Sequence, residues 1–298
     1  MRLITVDDPN SGQEEFCRAL ERGDILFFPH TPILGEEDRK FLLGIELTDA
    51  GYHKNIAYRP NTGKVTGFAE SQALDVARLR SILHAYSERA LEFMRELLPR
   101  YAAGWRVDFA SFRPQEEEGR QLPVKKRNDL LHTDAFPTRP TRGDLILRFF
   151  TNIHPEKSRV WLTGDPFALL APQYAEDAGL RRLAAQAESP WTSLQRGLVG
   201  MLRAAGLPVV DRTPYDRFML RFHDYLKYNR EYQEKSVKYM FEFPPGSTWM
   251  VFTDIVPHAV LSGRYALEQT VIVARRSLAS PESAPVAILE KLSQSRLA

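Results

Sequence analysis

Two histidines and one carboxylate impose the strongest constraint on this chain: His132-Thr133-Asp134, and far downstream His258 within Val256-Pro257-His258-Ala259. Residues i and i+2 of a strand project to one side, so His132 and Asp134 converge on one point only if their segment is extended. A third group must then come from a strand that faces or pairs with the first, which makes the fold responsible for joining two distant segments. Imidazole nitrogens with one carboxylate suit a borderline divalent metal, iron above all, and three ligands on one face leave the other positions open. The competing reading is that the pattern is incidental and that each histidine is a buried side chain with its hydrogen bonds satisfied. Strand-like, turn-bounded segments beside both histidines favour the metal reading.

Hydrophobic periodicity supplies the surrounding elements. Residues 12 to 23 read as a short helix before the buried strand Ile25-Leu26-Phe27-Phe28. From Gln72 to Leu98 apolar residues recur at spacings of three and four, and Pro99 closes this long structural helix. Asp108 to Phe112 reads as a strand, and residues 114 to 130 as a polar loop leading to His132. Strands are expected at 145 to 153 and 159 to 162, and helices at 191 to 204 and 214 to 235, the last with Pro214 in its first turn. Further strands follow at 238 to 243, 248 to 252, 258 to 261 and 267 to 274, the first two separated by the turn Pro244-Pro245-Gly246-Ser247. Ligands from both strand blocks meet only if the blocks pair or face each other. An α+β fold with a closed or jelly-roll β-core and flanking helices is therefore favoured.

Charge and composition exclude several function classes. The 298 residues carry 40 basic and 38 acidic side chains, so net charge gives no reason to expect a nucleic-acid partner. Cys17 is the only cysteine, which excludes an intramolecular disulfide framework and zinc sites built on several thiolates, and is compatible with a reducing cytoplasm. Acidic residues and Pro9 interrupt the N-terminus before any long apolar run, so no signal peptide is expected, and no stretch of about 18 apolar residues suggests a membrane span. Neither a phosphate-binding glycine loop nor a GxSxG elbow occurs. His30, His53, His84 and His223 fall outside the ligand pattern, and His154 beside Pro155 reads as a turn or supporting group.

Beyond the triad, several strings resemble the Kdo 3-hydroxylases, a branch of the Fe(II)- and 2-oxoglutarate-dependent dioxygenases. They are Leu131-His132-Thr133-Asp134-Ala135-Phe136-Pro137, Arg148-Phe149-Phe150-Thr151-Asn152-Ile153, Phe243-Pro244-Pro245-Gly246-Ser247-Thr248-Trp249, and the run from Thr253 to Gly263, continued by Ala266-Leu267-Glu268-Gln269-Thr270. The resemblance spans residues 50 to 275 in pieces, and its joint strings are far more specific than HxD alone. It implies a single dioxygenase domain over 1–298 on a double-stranded β-helix (cupin-like jelly roll), with an N-terminal α/β segment to about 105 and a helical insertion at about 170–236. Fe(II) on His132, Asp134 and His258 would use 2-oxoglutarate and O2 to hydroxylate carbon 3 of a Kdo sugar, giving Ko and succinate. That carbon is an unactivated methylene, out of reach of acid–base or nucleophilic catalysis, so the cofactor carries the chemistry.

The resemblance also implies a cationic anchor for the distal carboxylate of 2-oxoglutarate, because many relatives carry an arginine on the strand after the distal histidine. Arg264, Arg275 and Arg276 are candidates there, with Arg148 and Asn152, four apart on one strand face, as the alternative. Kdo-lipid A, or a related anionic glycolipid, is the implied partner. Lys54, Asn55, Lys125, Lys126 and Arg127 are candidates to bind it, joined by Arg59, Arg139 and Arg142. The aromatic stripe of helix 214 to 235 reads as core, with a lipid-surface contact as the alternative. A cytoplasmic protein touching the inner face of the membrane fits these expectations. A 2-oxoglutarate-dependent hydroxylase of another substrate and a non-catalytic jelly-roll binding protein remain the competing readings.

Overall fold

A computed structural model of the chain describes residues 1–9, 12–47, 55–69, 74–188 and 210–298. The architecture is mixed α/β. Its larger sheet has eight strands in the order β1-β2-β9-β6-β11-β5-β3-β4, where β1 is Leu3–Thr5, β2 Ile25–Phe28, β3 Ile56–Arg59, β4 Lys64–Thr66, β5 Arg106–Arg113, β6 Leu145–Asn152, β9 Thr248–Phe252 and β11 Ala266–Val273. Only the β1–β2 pair is parallel; the other pairings are antiparallel. The smaller sheet has the order β10-β7-β8, with β7 Arg159–Thr163, β8 Tyr239–Phe243 and β10 His258–Ser262.

Every residue of β6 and β11 is buried, so both faces of the large sheet are covered at its centre. One face receives helix α3, Val76–Leu97, through Phe93 on Phe149 and a Ser87–Gln269 hydrogen bond of 2.8 Å. The other meets the small sheet through a cluster of rings. Trp161 of β7 lies edge-on to Phe150 of β6 and Trp249 of β9, and Phe243 of β8 stacks on Trp249 with centroids 3.9 Å apart. Such rings bury large apolar areas and fix the spacing between the sheets.

Helices α1 (Gln13–Glu21), α2 (Glu36–Leu43) and α4 (Pro99–Ala102) accompany α3 in the N-terminal part. Between β7 and β8 come α5 (Phe167–Tyr174), α6 (Leu180–Glu188), α7 (Pro214–Tyr228) and α8 (Arg230–Lys235); α9 (Pro285–Ser293) follows the last strand. Among the described residues, no helix is long and apolar enough to cross a membrane.

Several boundaries differ from the sequence expectation. α3 begins at Val76 because the Asp75 carboxylate accepts the Arg78 N–H and caps it. The expected helix over 214 to 235 is two helices, since Asn229 leaves helical geometry and its side chain caps α8 by accepting from Tyr232 N. Thr213 and Asp216 start α7 with a reciprocal capping box around Pro214. The helix expected at 191 to 204 lies outside the described residues.

Candidate metal centre

Pairing between distant segments assembles the triad. His132 and His258 form an antiparallel bridge, each accepting the other's backbone N–H, at 3.2 and 2.9 Å. Two residues on, Asp134 N donates to Thr253 O at 2.8 Å. The first two ligand candidates thus run as an extended strip beside the segment that carries the third. Their ligand atoms all lie within 4.8 Å of one another.

Hydrogen bonds fix the ring tautomers. His132 Nδ1 is 2.7 Å from Leu130 O, and His258 Nδ1 is 3.0 Å from Val256 O. A carbonyl only accepts, so each Nδ1 carries the proton and each Nε2 presents a lone pair. Those lone pairs look toward Asp134, with His132 Nε2 4.0 Å from Oδ1 and His258 Nε2 3.9 Å from Oδ2. Both separations are too long for hydrogen bonds. Burial holds both imidazoles below their ordinary pKa, His132 well below, where the adjacent His258 adds to the effect. Burial alone would raise Asp134, but Arg148 and the two histidines outweigh it and hold the carboxyl below its usual range. Two neutral imidazoles and one carboxylate are the protonation states a divalent metal requires. Asp134 Oδ2 is buried and has no well-formed hydrogen bond, although Arg148 Nη2 lies 3.0 Å from it. The donor set therefore fits a metal ion better than it satisfies itself.

A cavity of about 230 Å³ opens on the triad. Arginines from three strands line it: Arg113 at the end of β5, Arg148 on β6 and Arg159 at the start of β7. Glu268 of β11 sits between the first two, accepting Arg113 Nε and Nη2 at 3.0 and 2.5 Å and pairing with Arg148 Nη1 at 2.8 Å. Arg159 is 1% exposed, donates Nη1 to Gly263 O at 2.8 Å and leaves Nε buried without a partner. Burial and the neighbouring Arg113 bring its guanidinium down to about 10. Gly263 has φ +128, and a Cβ there would come within 2.7 Å of Arg159 Cγ, so glycine permits this close approach. Trp161 stacks on the His258 ring at 5.1 Å and supplies an apolar wall.

Loops and a helix add lysines to the lining. Lys125, Lys126 and Asn128 come from the loop before His132, Asn55 from the segment before β3, and His223 with Lys227 from α7. His223 packs edge-on against His132 at 4.9 Å, its Nδ1 2.7 Å from Thr133 O.

Of the residues proposed from sequence for the cosubstrate, Arg148 is in the cavity. Asn152 is not: its amide donates to Lys157 O and Phe243 O, both at 2.9 Å, and accepts from His154 N, tying down the turn after β6. Arg264 donates Nε to Pro114 O and lies over Tyr265, while Arg275 is 3.5 Å from Glu290; both are outside the cavity. Among substrate candidates, Asn55, Lys125 and Lys126 line the cavity, Arg127 instead pairs with Asp129, and Lys54 lies outside the described residues. Arg139 pairs with Asp108, Arg142 with Asp211, and Arg59 sits over Phe109. Sequence reasoning missed Arg113, Arg159, Trp161, His223 and Lys227. The alternation Arg159-Val160-Trp161 and the i, i+4 pair His223/Lys227 were the available signals.

A family profile described as 3-deoxy-D-manno-oct-2-ulosonic acid (Kdo) hydroxylase matches residues 5–296. Among solved structures, the Kdo hydroxylase KdoO, a non-heme Fe(II) alphaketoglutarate dependent dioxygenase, in complex with alphaketoglutarate and Fe(III), is 34% identical; the match covers 100% of this chain and 98% of that one, with a TM-score of 0.83. Its apo structure matches at 34% identity over 100% and 97% of the two chains with a TM-score of 0.82. The cobalt(II) complex matches at 35% identity over 99% and 97% with a TM-score of 0.83. A comparison with curated proteins finds no match.

Proposed function

Since the chain belongs to the Kdo hydroxylase family, we propose that it is an Fe(II)- and 2-oxoglutarate-dependent dioxygenase that hydroxylates carbon 3 of the Kdo sugar in Kdo-lipid A. The observation that carries this reading is the pair of tautomer-locked Nε2 lone pairs converging with the Asp134 carboxylate in a cavity walled by arginines. His132, Asp134 and His258 would hold Fe(II), which with 2-oxoglutarate and O2 would supply the oxidising chemistry. The carbonyls of Leu130 and Val256 keep the rings in the ligating tautomer.

Arg159, with Arg113 beside it in the cavity lining, would take the distal carboxylate of 2-oxoglutarate. Both Arg159 and Arg148 leave a buried Nε–H unused, but Arg148 is held by Asp134 and Glu268 at 3.0 and 2.8 Å, whereas the carboxylate beside Arg159, Glu117, is 3.8 Å away. Arg148 keeps Asp134 ionised and aimed. Trp161, Phe150 and Val260 exclude water from the reacting face.

The two sheets joined by the Trp161 cluster support the double-stranded β-helix reading, with one domain over 1–298 and the helices from α5 to α8 as its insertion. We read the protein as cytoplasmic, meeting its glycolipid at the inner face of the membrane.

The test is succinate release from 2-oxoglutarate by anaerobically Fe(II)-loaded protein on exposure to air, with and without Kdo-lipid A. Substrate-stimulated release, lost in His132→Ala and Asp134→Ala together with stoichiometric iron binding, is expected. Release that ignores the lipid would discard the substrate, and the absence of both iron binding and release would overturn the enzyme reading.

A further inference from the structure

The two groups of cations around the cavity differ in how their charge is compensated. Each arginine has a carboxylate close by: Arg113 has Glu268 at 2.5 Å, Arg148 has Asp134 at 3.0 Å and Glu268 at 2.8 Å, and Arg159 has Glu117 at 3.8 Å. In the lysine group Lys125 is exposed and tied to Asp224 at 2.8 Å. Lys227 has little solvent and, among the described residues, no carboxylate in ion-pairing contact, although the charges of Asp134, Asp224 and Asp129 reach it. It is 5% exposed, and among the described residues no carboxylate oxygen lies within 4.0 Å of its Nζ. One hydrogen bond, to Lys125 O at 3.1 Å, uses one of its three N–H groups. A buried, unpaired ammonium is costly, and a ligand anion is the partner that the cavity admits.

Its position relative to the triad is fixed by the helix. Lys227 follows His223 by four residues, so both project from one face of α7. His223 is hydrogen-bonded to Thr133 O, the carbonyl between the two ligand candidates His132 and Asp134. The capping box at Thr213 and the Asp216 carboxylate, which also accepts from Thr141 N and Arg142 N, pin the start of the same helix to the loop after Asp134. α7 therefore holds a cation at a set position whose charge bears on His132, whereas those of Arg148 and Arg113 bear on His258.

We propose that Lys227 is the specificity-determining residue that binds the carboxylate of the sugar acid, so that the cavity accepts an acidic sugar and rejects its neutral counterpart. The inference rests on the hydroxylase reading above. It divides the two acidic reactants between the groups: the cosubstrate carboxylate to the arginines and the sugar carboxylate to Lys227. Lysine suits the second task, because a point charge with rotatable donors tolerates the varied approach of a glycoside, where a guanidinium fork dictates one. Discrimination follows because a neutral sugar would leave the buried ammonium without an anion in contact. Burial lowers this amine to about 8 against the pull of Asp134, Asp224 and Asp129, and an anion bound beside it would raise it again.

The experiment compares the wild type with Lys227→Met, Lys227→Gln and Lys227→Arg, each loaded with Co(II) and 2-oxoglutarate. Calorimetry measures binding of a Kdo-terminated oligosaccharide and of the same sugar with its carboxylate reduced to the alcohol. Wild type should prefer the acid by tenfold or more, Lys227→Met and Lys227→Gln should bind acid and alcohol within twofold, and Lys227→Arg should recover part of the preference. In Fe(II) turnover the KM for the sugar should rise at least tenfold in Lys227→Gln, with the KM for 2-oxoglutarate within twofold of wild type. Undiminished preference for the acid in both neutral variants would overturn the proposal. So would a rise in the 2-oxoglutarate KM instead, which would make Lys227 a cosubstrate anchor. Wild type that binds 2-oxoglutarate but neither sugar would take down the substrate reading and this inference together, whereas an intact wild-type preference that survives in the variants removes the inference alone. Should Lys227→Met fail to fold, the Lys227→Gln to Lys227→Arg ratio carries the same comparison.

Discussion

Replacing Glu268 with Gln removes the one negative charge shared by Arg113 and Arg148 while preserving side-chain shape. Glu268 is 3% exposed and accepts from both guanidiniums and from Thr270 Oγ1 at 3.1 Å. At an effective dielectric near 20 and charge centres roughly 4 Å apart, each pair is worth about 4 kcal/mol before desolvation. Breaking a buried pair costs roughly 3–5 kcal/mol net, because the surviving charge stays buried. Arg148 keeps Asp134 at 3.0 Å, so the lower end applies. A loss of about 3 kcal/mol takes a large share of a total of roughly 5–15 kcal/mol and, with an unfolding entropy of about 2.1 cal/mol/K per residue, lowers Tm by roughly 5 °C. Thermal unfolding of the metal-free protein, followed by circular dichroism at neutral pH and again near pH 4, measures it. The two arginines outweigh burial and hold Glu268 below its ordinary value. Its stabilisation is therefore complete above the unfolded-state pKa of about 4.3 and is lost as pH falls through the lower folded value, so the gap between wild type and variant must narrow in acid. A Tm within 1 °C of wild type at neutral pH, or a gap that ignores pH, would refute the coupled-charge reasoning.

Other residues give sharper separations between folding and binding. Arg159→Met should weaken 2-oxoglutarate binding by roughly 30-fold while iron binding is unchanged, as equilibrium titration with each ligand would reveal; unaltered 2-oxoglutarate affinity removes Arg159 as an anchor. Asn152→Ala should cost about 3 kcal/mol in denaturant unfolding, because two carbonyls and one N–H lose their partner, with no change in the KM for 2-oxoglutarate. Burial, aided by the Asp134 charge, raises Asp254 to about 7, so the folded state binds its proton more tightly than the unfolded chain. Stability is therefore lost as pH rises from about 4 towards 7, by at most about 4 kcal/mol. Asp254→Asn should erase that loss, and a Tm difference that is flat with pH would contradict it.

The metal candidates were legible in the sequence because period-two geometry acts locally: His132 and Asp134 share a side whatever lies around them. The pairing of that strip with His258 followed once the same ion was required to bind all three. The cosubstrate side was not legible in this way. The resemblance points to an arginine downstream of His258, but β11 supplies Glu268, which pairs with Arg113 and Arg148, and the guanidiniums lining the cavity come from neighbouring strands. β11 is inserted between β5 and β6, an order that no local pattern in the chain encodes. Asn152 shares a strand face with Arg148, as its spacing requires, yet lies at the far end of β6, where backbone carbonyls consume its amide. Lys227 was hidden for a related reason. On the sequence it reads as a charged flank of an aromatic stripe, and only the docking of α7 through His223 onto Thr133 turns that flank inward. The short strands β1, β3 and β4 carry too few residues for periodicity to register, and their place at the sheet edges depends on pairing partners.

The central claim is that this pocket directs the oxidation at a sugar carbon rather than merely holding a metal. Turnover of Fe(II)-loaded wild type with 2-oxoglutarate and Kdo-lipid A under ¹⁸O₂, followed by mass spectrometry of the released sugar, tests it most directly. One labelled oxygen on carbon 3 of Kdo, matched by one succinate and absent in His258→Ala, is the predicted result. Succinate formed while the sugar stays unlabelled would contradict the account.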